Sequence, residues 1–260
     1  MGQRVNEEPH TNGKMPVLEL KGLAKSFGGL RAVRGVSLKI MPGERKAIIG
    51  PNGAGKTTLF NLITGTLSAT SGHVLLYGRD VTRWPSHRRT ALGMARTFQV
   101  TSLFPRLTVL DNVLLAVKGR LASKFVMWRS MSSYRDVYTK AIMLLQNACF
   151  LDRKETEVRY LSHGEQRQLE IVLGLASDPD ILLLDEPAAG LSSGESTEMM
   201  KFLQGLDRRM AILLIEHDMD IVFGVADEIS VLHFGEVLES GAMERIRSST
   251  KVQEIYLGTG

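Results

Sequence analysis

Gly50-Pro51-Asn52-Gly53-Ala54-Gly55-Lys56-Thr57-Thr58 decides how this chain is read. It fits the pattern G-x-x-x-x-G-K-[ST] with no substitution. The run before it, Lys46-Ala47-Ile48-Ile49, is β-branched and apolar, as a buried parallel strand should be. After it, Leu59-Phe60-Asn61-Leu62-Ile63 places apolar residues at helical spacing, and Gly65 supplies a stop. Each residue type has a physical task. Glycines let the backbone turn tightly and point successive N–H groups inward, which makes an anion-binding concavity. The following helix adds its positive end. Lys56 is expected to neutralise the β- and γ-phosphates of a nucleoside triphosphate, and the Thr57 hydroxyl to ligate Mg²⁺. Thr58 is expected to reach an α-phosphate oxygen. The loop announces a triphosphate; it does not say what the triphosphate drives.

A second stretch supplies hydrolytic chemistry. Ile181-Leu182-Leu183-Leu184-Asp185-Glu186 is an apolar strand ending in two acids. At a strand end beside a phosphate loop, Asp185 can hold Mg²⁺ through water, and Glu186 can polarise an attacking water as general base. In Leu161-Ser162-His163-Gly164-Glu165-Gln166, Ser162 and Glu165 have capping-box spacing, with a helix expected over Gln168–Ala176. Capping explains the serine and the glutamate. It leaves Gly164, which allows close backbone approach to something, and a helix start with a hydroxyl and a glycine is also a phosphate-binding device. Gln99 and His217 stand after strand-like segments; alone, each has a structural reading as good as a functional one.

The rest of the pattern is α/β. Val17–Leu20 and Val36–Ile40 alternate as antiparallel strands, with Gly28-Gly29 as a turn between them, and Gly72–Gly78 gives another strand. Ser86–Leu92 suggests a short basic helix. Helical spacing runs from Val109 to about Leu175, including a helix at Tyr134–Cys149. Phe125, Met127, Trp128 and Met131 are either core of that region or a partner-facing patch. Ala211–Ile215 is a further buried strand, and Phe234-Gly235 marks a hairpin within Glu228–Gly241. Ala242–Arg247 and Val252–Leu257 suggest short terminal helices.

Composition sets limits. The 260 residues can bury a large core, and 43% hydrophobic with 23% charged residues is ordinary for a globular protein. A net charge of +4 permits nucleic acid or anionic membrane as a partner and demands neither. Cys149 is the only cysteine, so no disulfide can form within the chain; it is expected to pack rather than react. Met1–Lys14 is polar and without the apolar stretch of a signal peptide; it is expected to be a disordered tail. No run approaches the ~20 apolar residues of a membrane span, so any membrane role comes through a partner.

Together these residues resemble the ATP-binding subunit of an ABC transporter. Gly50–Thr58 is similar to its Walker A loop, Gln99 to the Q-loop glutamine and Leu161–Gln166 to the signature sequence. Ile181–Glu186 is similar to the Walker B strand and His217 to the switch histidine, while Phe27 stands where the family places an adenine-stacking aromatic. The resemblance implies a P-loop NTPase core at 15–98 and 177–260, carrying an antiparallel β subdomain, with an α-helical subdomain inserted at 99–176. It implies ATP and Mg²⁺ as ligands, with Thr57, Gln99 and Asp185 around the metal and Glu186, Gln99 and His217 in catalysis. It also implies head-to-tail pairing with a second ATPase subunit, a second copy or a sister cassette, with Ser162 and Gly164 meeting the γ-phosphate in trans and Glu165 beside them among the cofactor-binding residues. Transmembrane permease subunits would be direct partners, and a solute-binding protein an indirect one, at the cytoplasmic face of the inner membrane.

Arg96-Thr97-Phe98-Gln99, Leu103-Phe104-Pro105, Ala188-Ala189-Gly190-Leu191 and the ending Ile255-Tyr256-Leu257-Gly258 narrow the likeness to the branched-chain amino acid importer group. The related urea and amide importers share much of this. A non-transport ABC ATPase acting on nucleic acid or the ribosome is the rival class, but the chain has neither a second cassette nor a long coiled-coil insertion, so no nucleic acid is expected. One residue departs from the family pattern: Ser192 stands where many cassettes carry aspartate.

Overall fold

The computed structural model describes residues 15–97, 103–119 and 131–257. The tail 1–14, Gln99 and the Phe125, Met127 and Trp128 cluster lie outside them. The chain enters through β1 (Leu18–Phe27) and β2 (Leu30–Ile40), and β3 (Arg45–Ile49) then leads into the phosphate loop and α1 (Lys56–Thr64). There follow β4 (Ser71–Leu76), β5 (Arg79–Asp80), α2 (Ser86–Thr90) and β6 (Met94–Arg96). The helices α3 (Val109–Gly119), α4 (Met131–Asn147) and α5 (His163–Leu175) come next. The order closes with β7 (Ile181–Asp185), α6 (Ser193–Gly205), β8 (Ala211–Ile215), α7 (Met219–Val225), β9 (Glu228–His233), β10 (Glu236–Gly241), α8 (Met243–Ser248) and α9 (Thr250–Leu257).

Among the described residues the strands form two sheets. One is antiparallel, in the order β2-β1-β4-β5; the other runs β10-β9-β3-β8-β7-β6 and is parallel except at β10. The parallel strands are apolar runs because both of their faces are covered. Their side chains divide with period two: Ile48, Leu183 and Leu213 join a core shared with α1 and the antiparallel sheet, while Ala47, Leu184 and Leu214 join one with α6 and α7. A separate apolar cluster holds α3, α4 and α5 together through Val113, Ala141, Leu145, Leu169 and Val172. Helix α5 serves two cores, since its Ile171 packs toward the sheet.

Both expected hairpins are present. Phe27 pairs with Leu30, and Gly28 begins the two-residue turn at φ 56°. His233 pairs with Glu236 across Phe234 and Gly235, at φ 45° and 83°, a turn that needs two left-handed residues.

Several expectations need correction. Helix α5 begins at His163, five residues before the expected Gln168, because Ser162 caps it directly. Helix α4 begins at Met131 and β2 at Leu30. Strand β6 and helices α6 and α7 were not anticipated; α6 is mostly polar, with Met199 and Leu203 as its buried residues, so its apolar stripe is narrow. Cys149 is exposed, not packed. It adopts φ 58° just after α4, a left-handed terminator conformation that turns its side chain outward.

Candidate functional site

Strands β3, β8 and β7 are neighbours and run parallel, so their carboxyl ends share one edge of the sheet. Open α/β sheets bind ligands at that edge. Here it brings together Gly50, which follows β3, the pair Asp185-Glu186 at the end of β7, and Glu216-His217 after β8.

The phosphate loop needs its glycines for room as well as for conformation. Gly50 has φ 155° and a Cβ there would overlap the Leu232 carbonyl; Gly55, at φ 102°, would meet the Ala32 carbonyl. The β9–β10 turn buttresses the loop, with the Gly235 N–H donating to the Ala54 carbonyl at 2.9 Å. Lys56 is 8% exposed, and its Nζ donates to the Gly50 carbonyl at 2.6 Å and the Pro51 carbonyl at 3.0 Å. Burial lowers the pKa of its ammonium, while the Glu186 and Asp185 carboxylates pull it back up.

Asp185 has a side chain only 2% exposed, with the Arg96 guanidinium 3.5 Å away. Its Oδ2 has no hydrogen-bond partner. Burial pushes its carboxyl upward against the pull of Arg96. A buried acceptor left unsatisfied beside a phosphate loop suits a cation and its water. Among the described residues no group of three or more His, Cys, Asp or Glu forms a metal cage. Mg²⁺ suits such a site, since it is held by one or two carboxylates and substrate phosphates rather than by an all-protein cage. The donor set Asp185 and Thr57 therefore fits.

Glu186 adopts φ 48°, a left-handed backbone that a non-glycine residue holds only when its surroundings enforce it. Its N–H donates to the Ile215 carbonyl at 2.8 Å, which ties the end of β7 to β8. Glu216 is fully buried and accepts the N–H groups of Ala188 at 3.0 Å, His217 at 2.8 Å and Asp218 at 3.3 Å. It thus locks the loop after Glu186 to the backbone of His217, whose own side chain is 63% exposed with Nδ1 3.6 Å from Glu216.

The phosphate loop and Glu186 border an open cleft of about 380 Å³ whose lining includes Phe27, Asn52, Gly53, Thr57 and Thr58; Asp185 and His217 are not among the residues that line it. Phe27 is 49% exposed, with Lys25 Nζ 5.0 Å from its ring centre. Phe234, 68% exposed, borders the same cleft.

Ser162, Gly164 and Glu165 do not line that cleft. Glu165 faces its own chain: it accepts the Ser162 N–H at 2.8 Å and pairs with Arg153 at 3.1 Å. Beside it, Glu195 accepts from the Ser162 hydroxyl and the Gly164 N–H, each at 3.0 Å. Gln99 lies outside the described residues.

Sequence reasoning missed Arg96, Glu195, Glu216 and Phe234. Glu216 repeats the signal that revealed Asp185, an acid closing an apolar strand. Ser192-x-x-Glu195 repeats the capping-box spacing of Ser162-x-x-Glu165.

Comparison with known proteins gives a consistent result. Residues 33–189 match the family model described as ABC transporter. The chain is 38% identical over 250 residues to the high-affinity branched-chain amino acid transport ATP-binding protein LivG of Escherichia coli K12, covering 94% of this chain and 98% of that one. It is 37% identical over 250 residues to the corresponding BraF of Pseudomonas aeruginosa, with the same coverage of each chain. Among solved structures, the ADP conformation of an ATP-binding cassette of an ABC transporter superposes with a TM-score of 0.82 at 30% identity, covering 94% of this chain and all of that one. A dimeric cassette bound to ADP and Pi gives a TM-score of 0.70 at 25% identity, covering 87% and 98%.

Proposed function

Because the chain belongs to the ABC transporter family, we propose that it is the ATP-hydrolysing subunit of an importer for branched-chain amino acids. The observation that carries the catalytic reading is the buried Asp185 Oδ2, which has the Arg96 guanidinium 3.5 Å away and no hydrogen-bond partner, beside the glycine cradle and Lys56. The names of the LivG and BraF relatives support the solute class.

The residues divide the work. The Gly50–Thr58 backbone holds the phosphates, and Phe27 offers a ring to the adenine. Lys56 trades its two carbonyl partners for β- and γ-phosphate oxygens. Asp185 and Thr57 would hold Mg²⁺, which neutralises charge on the phosphates when bound. Glu186 takes a proton from the water whose oxygen attacks the γ-phosphorus, as the bond to the bridging oxygen breaks and ADP leaves. Glu216 orients the backbone of both Glu186's loop and His217.

A second cassette would complete the site, with Ser162 and Gly164 meeting the γ-phosphate held by its loop; the dimeric solved relative bound to ADP and Pi supports the pairing. Among the described residues no helix is long and apolar enough to cross a membrane. As a subunit of an ABC transporter it would sit peripherally at the cytoplasmic face of the inner membrane, against permease subunits. A cavity of about 300 Å³ between β6 and helices α3 and α5, lined by Arg96, Phe104, Asn112, Leu115 and Glu170, suits a permease segment. A solute-binding protein would contribute indirectly.

Uptake of radiolabelled leucine tests the reading in a strain lacking this subunit. Wild type should restore uptake and Lys56→Ala should not. Restoration by Lys56→Ala contradicts the ATP-driven role, and restored urea uptake without leucine uptake reassigns the solute.

A further inference from the structure

Gly164 raised a question: what approaches its backbone so closely? The structure answers with a group from the same chain. A Cβ on Gly164 would lie 3.0 Å from Glu195's Cβ, Cγ and Oε1. The missing side chain gives Glu195 access to the first turn of α5. Its Oε1 accepts both the Ser162 hydroxyl and the Gly164 N–H, while its Oε2 accepts the Ser192 N–H at 3.1 Å and the Ser192 hydroxyl at 2.8 Å. One carboxylate is thus shared between the starts of α5 and α6. Backbone and hydroxyl donors from Ser192, then from Gly164 and Ser162, hold its pKa down to about 2.

A carboxylate oxygen on two donors at a helix start occupies the place that an incoming phosphate oxygen would take. The two anions cannot share Ser162 Oγ and Gly164 N, and their charges repel. No cation among the donors to Oε1 relieves that conflict.

We infer that Glu195 is an internal occupant of the Ser162 and Gly164 donors, and that the γ-phosphate carried by a second cassette must displace it before the pair can close. The inference rests on the proposed meeting of those two residues with phosphate in trans. Release requires only that Oε1 swing out, since Oε2 keeps its own anchor on Ser192. The contact therefore sets the ATP concentration at which pairing occurs, and it leaves nucleotide binding to the loop of the single chain untouched.

The test uses the full chain in a Glu186→Gln background, with pairing followed by light scattering against ATP concentration. Glu195→Gln keeps the length of the side chain and removes the charge; Glu195→Ala removes the group. Charge-assisted hydrogen bonds are roughly twice as strong as neutral ones, so both variants should pair at an ATP concentration lower by about threefold or more. Monomer affinity for ATP should be unchanged, and Ser162→Arg should not pair. A purely structural role predicts the opposite sign, with pairing weakened in step with melting temperature. An unchanged or raised midpoint in Glu195→Gln, while Ser162→Arg still blocks pairing, overturns the role of Glu195 and leaves the trans reading standing. If Glu195→Ala unfolds, Glu195→Gln decides; if both unfold, Glu195 is a clamp and the inference is wrong. A parent chain that stays monomeric with ATP, or a Ser162→Arg chain that pairs normally, overturns the trans reading and this inference with it.

Discussion

At the start of α1, Lys56 reaches back to the Gly50 and Pro51 carbonyls from a loop in which Gly50 and Gly55 leave no room for a Cβ. At the start of α5, Ser162 and Gly164 give their donors to the carboxylate of Glu195. Both are helix N-termini, and both suit an anion. The first carries its own cation and a tight concavity, so a single chain can hold a phosphate there. The second has its nearby Arg153 paired with Glu165 and already holds an anion, so it is a poor phosphate site until something else brings the binding energy. On the proposed reading, the two regions would serve different stages: nucleotide binding at α1, pairing at α5.

The largest expected effects break the α1 half. Glu186→Gln should retain ATP affinity and lose hydrolysis by ~10²–10⁴-fold, the usual contribution of a general base. Lys56→Ala should lower turnover by ~10²–10³-fold, the loss expected when a charge-stabilising donor is removed. Steady-state phosphate release checks both, and near-wild-type rates in Glu186→Gln would move the base to another residue. A smaller effect concerns the rim. Phe27→Ala should weaken ATP binding by roughly 1–2 kcal/mol, the scale of base–aromatic stacking. Equal affinity by calorimetry would make Phe27, half exposed as it is, a bystander of the cleft.

The smallest effect sharpens the α5 half. Glu195 has its folded pKa depressed from 4.5 to about 2. Its hydrogen bonds therefore add stability above pH 4.5, and that contribution disappears as pH falls toward 2. Wild type should melt above Glu195→Gln at pH 7, and the gap should close by about pH 2. A gap that persists at pH 2 would show that charge is not what holds the contact.

Much of this was legible in the sequence because it is local. Glycine spacing, an apolar run and a Lys-Thr pair define the phosphate loop within nine residues. Asp185 and Glu186 announce themselves by closing an apolar strand. The hairpin at Phe234-Gly235 follows from turn chemistry alone. What stayed hidden depends on contacts between distant segments. The link from Glu195 to Gly164 spans 31 positions, and that from Glu216 to Ala188 spans 28. Local pattern says that each acid can cap or close something; only the packing of α5 against α6, and of β7 beside β8, says what. Strand β6 was missed because three residues, Met94–Arg96, are too few to show a period. Helix α5 is expected only from Gln168, although the capping-box spacing of Ser162 and Glu165 already marks its start at His163.

The mass of the Glu186→Gln chain in solution, measured by analytical ultracentrifugation with and without ATP, tests most directly the claim that two incomplete half-sites close on one nucleotide. The prediction is a monomer without ATP, a dimer with it, and a monomer under both conditions once Ser162→Arg is added, with folding and monomer ATP affinity retained. A Ser162→Arg chain that still doubles its mass with ATP would contradict the account, because the start of α5 would then have no part in the pair.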